Sequence, residues 1–152
     1  MLYRLRQNPT HFVLLVLSAP LIYGLIVPFV FADICGSLYQ AVCFRVYRIP
    51  RVKRSAHVLF DRAKLAYLTP FQKLNCLYCE YANGVISYVG EITARTEWYW
   101  CPIKHARAPL SPHEHYDRFL GYNEDENFRN KLKEARKSCR ACEHGKSLDF
   151  KD

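Results

Sequence analysis

Two short motifs hold most of the side chains able to do chemistry. Cys76-Leu77-Tyr78-Cys79 places two thiols three residues apart, and Cys101-Pro102-Ile103-Lys104-His105 places a thiol and an imidazole four apart. Thiolate sulfur and neutral imidazole nitrogen are the ligands a tetrahedral zinc ion prefers. Residues three or four apart share a helix face, so each pair can reach one ion. Cys76, Cys79, Cys101 and His105 are therefore the candidate metal ligands. The 21 residues between the pairs match no standard zinc-finger spacing. Four protein ligands leave no coordination position for a substrate, which points to structural rather than catalytic zinc.

Other cysteines and histidines read more plainly. Cys139-Arg140-Ala141-Cys142-Glu143-His144 is a second C-x2-C near the end of the chain. It either completes an all-cysteine site with Cys76 and Cys79, binds a second ion, or belongs to a mobile tail, and Cys139 and Cys142 are expected to be dispensable. Cys35 and Cys43 are expected to be small apolar packing residues. His113 and His115 fall in a proline-containing loop, where exposure is the ordinary expectation. Seven cysteines is an odd number, and with C-x2-C pairs it favours metal or redox thiols in a reducing compartment over a disulfide framework. No glycine-rich phosphate loop, Ser/His/Asp set or paired-carboxylate motif stands out. Glu91 and Glu97 read as exposed helix charge.

These motifs need elements to position them. Residues 12 to 32 run without a charge. As a helix they cover about 31 Å, enough to cross a bilayer core. Pro20, Gly24 and Pro28 are tolerated in a membrane helix. A cleaved signal peptide would have a shorter apolar core and a small-residue cleavage site. Apolar character resumes from Ile34 to Val46, so the anchor is one helix, a hairpin that dips in near Pro28 and returns, or a span followed by an interfacial helix, since a second arm would be short for a full crossing. Residues 1 to 54 carry seven basic side chains and one acid, a net +6, whereas residues 55 to 152 carry only +2. The basic excess thus flanks the apolar segment, as at a membrane edge, and forms no nucleic-acid patch. The stronger cluster, Arg45 to Arg54, follows the span and predicts a soluble part in the cytoplasm.

Beyond Pro50, Ser55 to Thr69 reads as a short amphipathic helix stopped by Pro70. Phe71, Leu74, Tyr78, Tyr81, Val85, Tyr88, Ile92, Arg95 and Tyr99 then recur at steps of three and four, a helical seam. Pro102 fits the first position of a further helix. Ala108 to Tyr122 reads as loop, and Asn123 to Ser138 as a charged helix capped by Asn123.

The metal site and the seam conflict. An unbroken helix would hold Cys79 and Cys101 about 33 Å apart. A break between Asn83 and Gly90 is therefore expected, with Asn83-Gly84 the best turn. A site shared between two chains is the alternative.

The run Phe60-Asp61-Arg62 to Leu68, then Asn75-Cys76-Leu77-Tyr78-Cys79, then Tyr99-Trp100-Cys101-Pro102-Ile103-Lys104-His105-Ala106, resembles a group of small bacterial membrane-anchored proteins of uncharacterised function. The resemblance covers roughly residues 45 to 122 and implies location and motif, not activity. Cys101-x3-His105 is also similar to the end of the ligand motif of CDGSH iron–sulfur proteins, although that family spaces its first two cysteines by one residue.

The fold expected is mostly α: a membrane anchor over residues 1–54, a small helical cytoplasmic metal-binding domain over 55–122, and a charged helix with a cysteine-containing tail over 123–152. The function expected is a structural zinc module at the inner membrane, serving as adaptor or assembly subunit. Its partners would be the lipid bilayer and a second protein or copy, with no nucleic acid and no small-molecule substrate. The alternatives are electron transfer through iron or a [2Fe–2S] cluster at the same four residues, and a thiol oxidoreductase using Cys76 and Cys79.

Overall fold

The computed structural model describes residues 9–123 and 126–142. Among them the chain is helical, with no strand beyond one isolated bridge, Ile103 to Leu120. The helices are α1 (Pro9–Gly24), α2 (Ile26–Tyr39), α3 (Arg45–Tyr47), α4 (Arg54–His57), α5 (Pro70–Trp100) and α6 (Phe128–Arg140), and a π-helical turn (Gln40–Phe44) joins α2 to α3.

The apolar segment is one helix, not a hairpin: Val16–Tyr47 runs through as a single rod long and apolar enough to cross a membrane. Pro28 has no N–H for the Gly24 carbonyl, so the ladder is interrupted one turn earlier, between α1 and α2. The helix ends in a Schellman motif. Arg48 takes the left-handed conformation, its N–H bonds the Arg45 carbonyl at 3.4 Å, and the Ile49 N–H bonds the Phe44 carbonyl at 2.9 Å. Phe44 and Ile49 join the same apolar core. Pro50 then prevents any restart.

Helix α5 begins with a capping box. The Gln72 N–H bonds Thr69 Oγ1, the Thr69 N–H bonds Gln72 Oε1 at 2.9 Å, and Pro70 occupies the first turn. It then runs unbroken for 31 residues. The expected break between Asn83 and Gly90 does not occur, and no glycine there has a positive φ. Val85, Tyr88 and Ile92 are buried on its seam, and continuing the helix keeps them there.

The long apolar helix and α5 lie side by side and parallel. Tyr23 donates to Asn75, Tyr78 donates to the Ile22 carbonyl at 2.7 Å, the Ser37 and Tyr88 hydroxyls lie 3.2 Å apart, and Tyr47 stacks on Tyr99 at 5.2 Å. Each contact pairs a residue with one about fifty positions later, so the two helices rise in register.

Parallel helices require the chain to travel back between them. The return from Arg48 to Thr69 must cover the rise of α5, about 45 Å for 30 steps. Its 22 residues as a continuous helix would cover only about 33 Å. This is why Ser55 to Thr69 is not the amphipathic helix its pattern suggests. It holds only the four-residue α4 and a 3-10 turn at Arg62–Lys64.

The return segment is pinned along its length. The Gln40 amide donates to the Val52 carbonyl at 3.3 Å and accepts from the Val52 N–H at 3.0 Å, as a paired strand would. Arg54 forms a two-pronged ion pair with Asp33, at 2.6 and 2.9 Å, and Tyr81 donates to the same carboxylate at 3.0 Å. Lower down, the His57–Val58 backbone packs on Gly84, where a Cβ would lie 2.8 Å from His57 O.

Candidate functional site

The four expected metal ligands are not brought together within one chain. Cys76 and Cys79 sit on adjoining turns early in α5, Cys79 exposed and Cys76 half-buried. Cys101 caps the other end, its N–H bonding the Glu97 carbonyl at 2.8 Å. With α5 continuous, Cys79 and Cys101 are about 33 Å apart. His105 stays near Cys101, where its N–H bonds the Tyr116 hydroxyl at 2.9 Å and its ring stacks on Tyr116. Among the described residues no three His, Cys, Asp or Glu side chains cluster as metal ligands would. The conflict between seam and site is resolved for the seam.

The segment from Cys101 to His105 has a different structural use. It opens no new helix at Pro102. Lys104 N–H bonds the Leu120 carbonyl at 2.7 Å and Leu120 N–H bonds the Pro102 carbonyl at 2.8 Å, tying the two ends of the following loop together. Pro102 is fully buried beneath this tie.

That loop carries the chemistry that sequence reasoning passed over. His115 is buried, not exposed; its Nε2 lies 3.0 Å from Glu91 Oε1 and its ring stacks on Trp98 at 4.9 Å. Arg95, also buried, donates to the same Glu91 oxygen at 2.7 Å and to the Pro50 carbonyl at 2.9 Å. One turn on, His113 Nε2 lies 3.2 Å from Glu97. Glu91 is thus no solvated helix charge. Burial by itself would raise its pKa, but the hydrogen bonds from His115 and Arg95 outweigh it and bring the value to about 2. A carboxylate so acidic is no proton donor at neutral pH; it holds His115 and Arg95 in place. The one available signal was the spacing Glu91-x3-Arg95 on a helix, but the partner histidine is 24 positions away in sequence and has no local signature.

Helix α6 closes this end. It starts at Phe128 behind Asn127, which is left-handed and makes no side-chain cap, instead of at Asn123. Arg136 and Arg140 lie over the Tyr99 ring at 5.3 and 5.5 Å, and Arg140 also donates to the Tyr47 carbonyl and the Tyr99 hydroxyl, each at 3.0 Å. Cys139 is fully buried, its thiol 3.7 Å from the Arg95 carbonyl, and burial pushes that thiol up to about 11. That is a packing residue, not a thiolate poised to bind metal. None of the seven cysteines forms a disulfide, and His144 lies outside the described residues.

A cavity of about 350 Å3 opens between the return segment and α5, lined by His57, Asp61, Arg62, Cys79 and Glu80 among others. Glu80 Oε1 accepts from the Arg62 N–H at 2.9 Å and the Asp61 N–H at 3.4 Å. Its buried second oxygen has no protein partner among the described residues. The cavity therefore offers an acceptor, a thiol and an imidazole at one place.

No protein-family model matches the chain, and no match was found among curated proteins or among solved structures.

Proposed function

We propose that this chain is a membrane-anchored adaptor or assembly subunit, held by its N-terminal helix in the cytoplasmic membrane with its aromatic- and arginine-rich end in the cytoplasm. One observation carries the reading. The helix Val16–Tyr47 exposes Val27, Phe31, Ile34, Leu38 and Val42 along one face, while Asp33, Gln40 and Phe44 are buried on the other. The first face suits lipid; the second is built into the fold through Arg54, Val52 and Tyr88. A cleaved signal sequence would not be expected to supply such tertiary contacts. The basic run Arg45 to Arg54 supports the cytoplasmic side. The soluble end is a frame clamped by stacked rings and guanidinium groups, which suits holding a protein partner or a second copy.

Membrane fractionation tests the reading. The chain is expected to remain in the pellet after high-salt and alkaline carbonate washes, because apolar insertion does not depend on salt. Release by salt alone would overturn it. Labelling of an Asp152→Cys variant by an impermeant reagent from outside intact cells would reverse the orientation.

A second reading keeps the zinc. Cys76 and Cys79 lie on adjoining turns at an accessible part of α5, and such a pair is half of a tetrahedral site. The same pair from a second copy would complete it, with one zinc for two chains. Iron at this site would instead give visible charge-transfer bands. Metal analysis of the purified protein separates these: Cys76→Ser is expected to remove the metal and Cys101→Ser to leave it.

A further inference from the structure

The seam of α5 continues to its first turn, but its cover does not. From Val85 upward the seam residues are buried. Below, Phe71 is 66% exposed, Leu74 53% and, in the preceding loop, Tyr67 78%; Leu59 and Phe60, earlier on the return segment, are exposed as well. A water-facing surface does not usually carry so many large apolar side chains along one stretch of chain.

The parallel register says what lies at that height. Tyr23 is hydrogen-bonded to Asn75, and Tyr78 to the Ile22 carbonyl. Phe71 and Leu74 therefore stand level with about Ala19 to Ile22, inside the charge-free stretch of the anchor. Leu21, on that stretch, is itself 76% exposed. The medium that covers Leu21 reaches Phe71 and Leu74 as well. Arg62, Lys64 and Lys73 are interleaved with these side chains. Long basic side chains such as these lay their apolar stems along lipid while their charged heads reach back to water.

We infer that the elbow from Leu59 to Leu77 is a second membrane contact, laid against the lipid bilayer beside the anchor. It makes the lower part of the molecule a two-element insertion in which the anchor and the elbow share one lipid face. The inference rests on the anchor reading above, and its test separates the two.

The test is spin-label accessibility on the full chain in phosphatidylcholine–phosphatidylglycerol vesicles, with the exposed Cys35, Cys79 and Cys101 changed to serine. Labels are placed by Phe71→Cys and, in a separate protein, Tyr67→Cys; Leu21→Cys is the anchor control and Tyr122→Cys the soluble-end control. Oxygen concentrates in lipid, and a nickel chelate stays in water. The Phe71 and Tyr67 labels are expected to collide with oxygen and be shielded from nickel, as the Leu21 label is, with the Tyr122 label showing the reverse. Nickel access at Phe71 and Tyr67 with Leu21 still shielded would overturn the elbow contact and leave the anchor standing. Shielding of both elbow labels from both reagents would show protein there, a second copy, and would also overturn it. Nickel access at Leu21 would remove the anchor and the elbow contact together.

Discussion

Replacing Gly84 by alanine probes the packing of the return segment directly. In an ordinary helix interior the change stabilises by about 1 kcal/mol, because glycine loses more backbone freedom on folding. At Gly84 the new Cβ would lie 2.8 Å from both His57 O and Val58 Cα, and 3.1 Å from Val58 Cγ2. The first two are backbone atoms and cannot rotate away. The segment bearing them is held on both sides, by Asp33 to Arg54 and by Glu80 to Arg62, so retreat costs other contacts. Overpacking of this kind costs about 1–3 kcal/mol. The net expectation is a loss of about 1 kcal/mol. A Cβ added at Gly90 would meet nothing within 4 Å, so Gly90→Ala is expected to gain about 1 kcal/mol. The two variants should then differ by about 2 kcal/mol, or roughly 4–8 °C in Tm for a chain of this size. Thermal unfolding in detergent micelles reads the difference. Equal stabilisation by both would refute the packing of the return segment on α5. A loss at Gly90 as well would indicate a bend there, and with it a broken helix.

Other expectations follow from the end of the molecule that carries Glu91, Arg48 and Cys139. The Glu91 carboxyl titrates at about 2 in the fold against an ordinary 4.5, so its contribution of about 3 kcal/mol is complete above pH 4.5 and lost as pH falls toward 2. Glu91→Gln should flatten that part of the stability–pH curve in acid unfolding. Arg48→Gly should stabilise by about 1 kcal/mol, because Arg48 holds a left-handed φ of 58° at the end of the long apolar helix; chemical denaturation measures it, and a loss would mean the Arg48 side chain contributes more than its backbone costs. Cys101 should react with maleimide in the native protein while Cys139 should not, since Cys101 is exposed and Cys139 is buried with its thiol pushed up to about 11; mass spectrometry of the labelled peptides decides.

How much of this was legible in the sequence depends on how local each cause is. The long apolar helix and the helical seam from Phe71 to Tyr99 are written in neighbouring residues and were readable; Thr69 was read as the end of the preceding helix, and its capping box with Gln72 was passed over. The cysteine pairs were readable as pairs, but their separation is set by whether α5 continues past Asn83-Gly84. Both residues disfavour helix by at most about 1 kcal/mol each. Burying Val85, Tyr88 and Ile92 outweighs that, and glycine is required at 84 because another backbone touches it, not because the chain turns. The parallel register and the extended return could not be read, since they follow from pairings such as Asp33 with Arg54 and Gln40 with Val52 that have no period. His115 was misplaced for the same reason: its partner Glu91 lies on a different element.

One rigid helical frame, the unbroken α5 beside the long apolar helix, underlies all of these expectations. The distance between spin labels on native Cys79 and Cys101, with the other exposed cysteine, Cys35, replaced by serine, tests it most directly. In vesicles, with or without zinc, a pulsed dipolar measurement is expected to give a single narrow distribution near the roughly 33 Å of a continuous helix. A population at about half that distance or less, above all one favoured by zinc, would mean that α5 folds back and that the frame is not there.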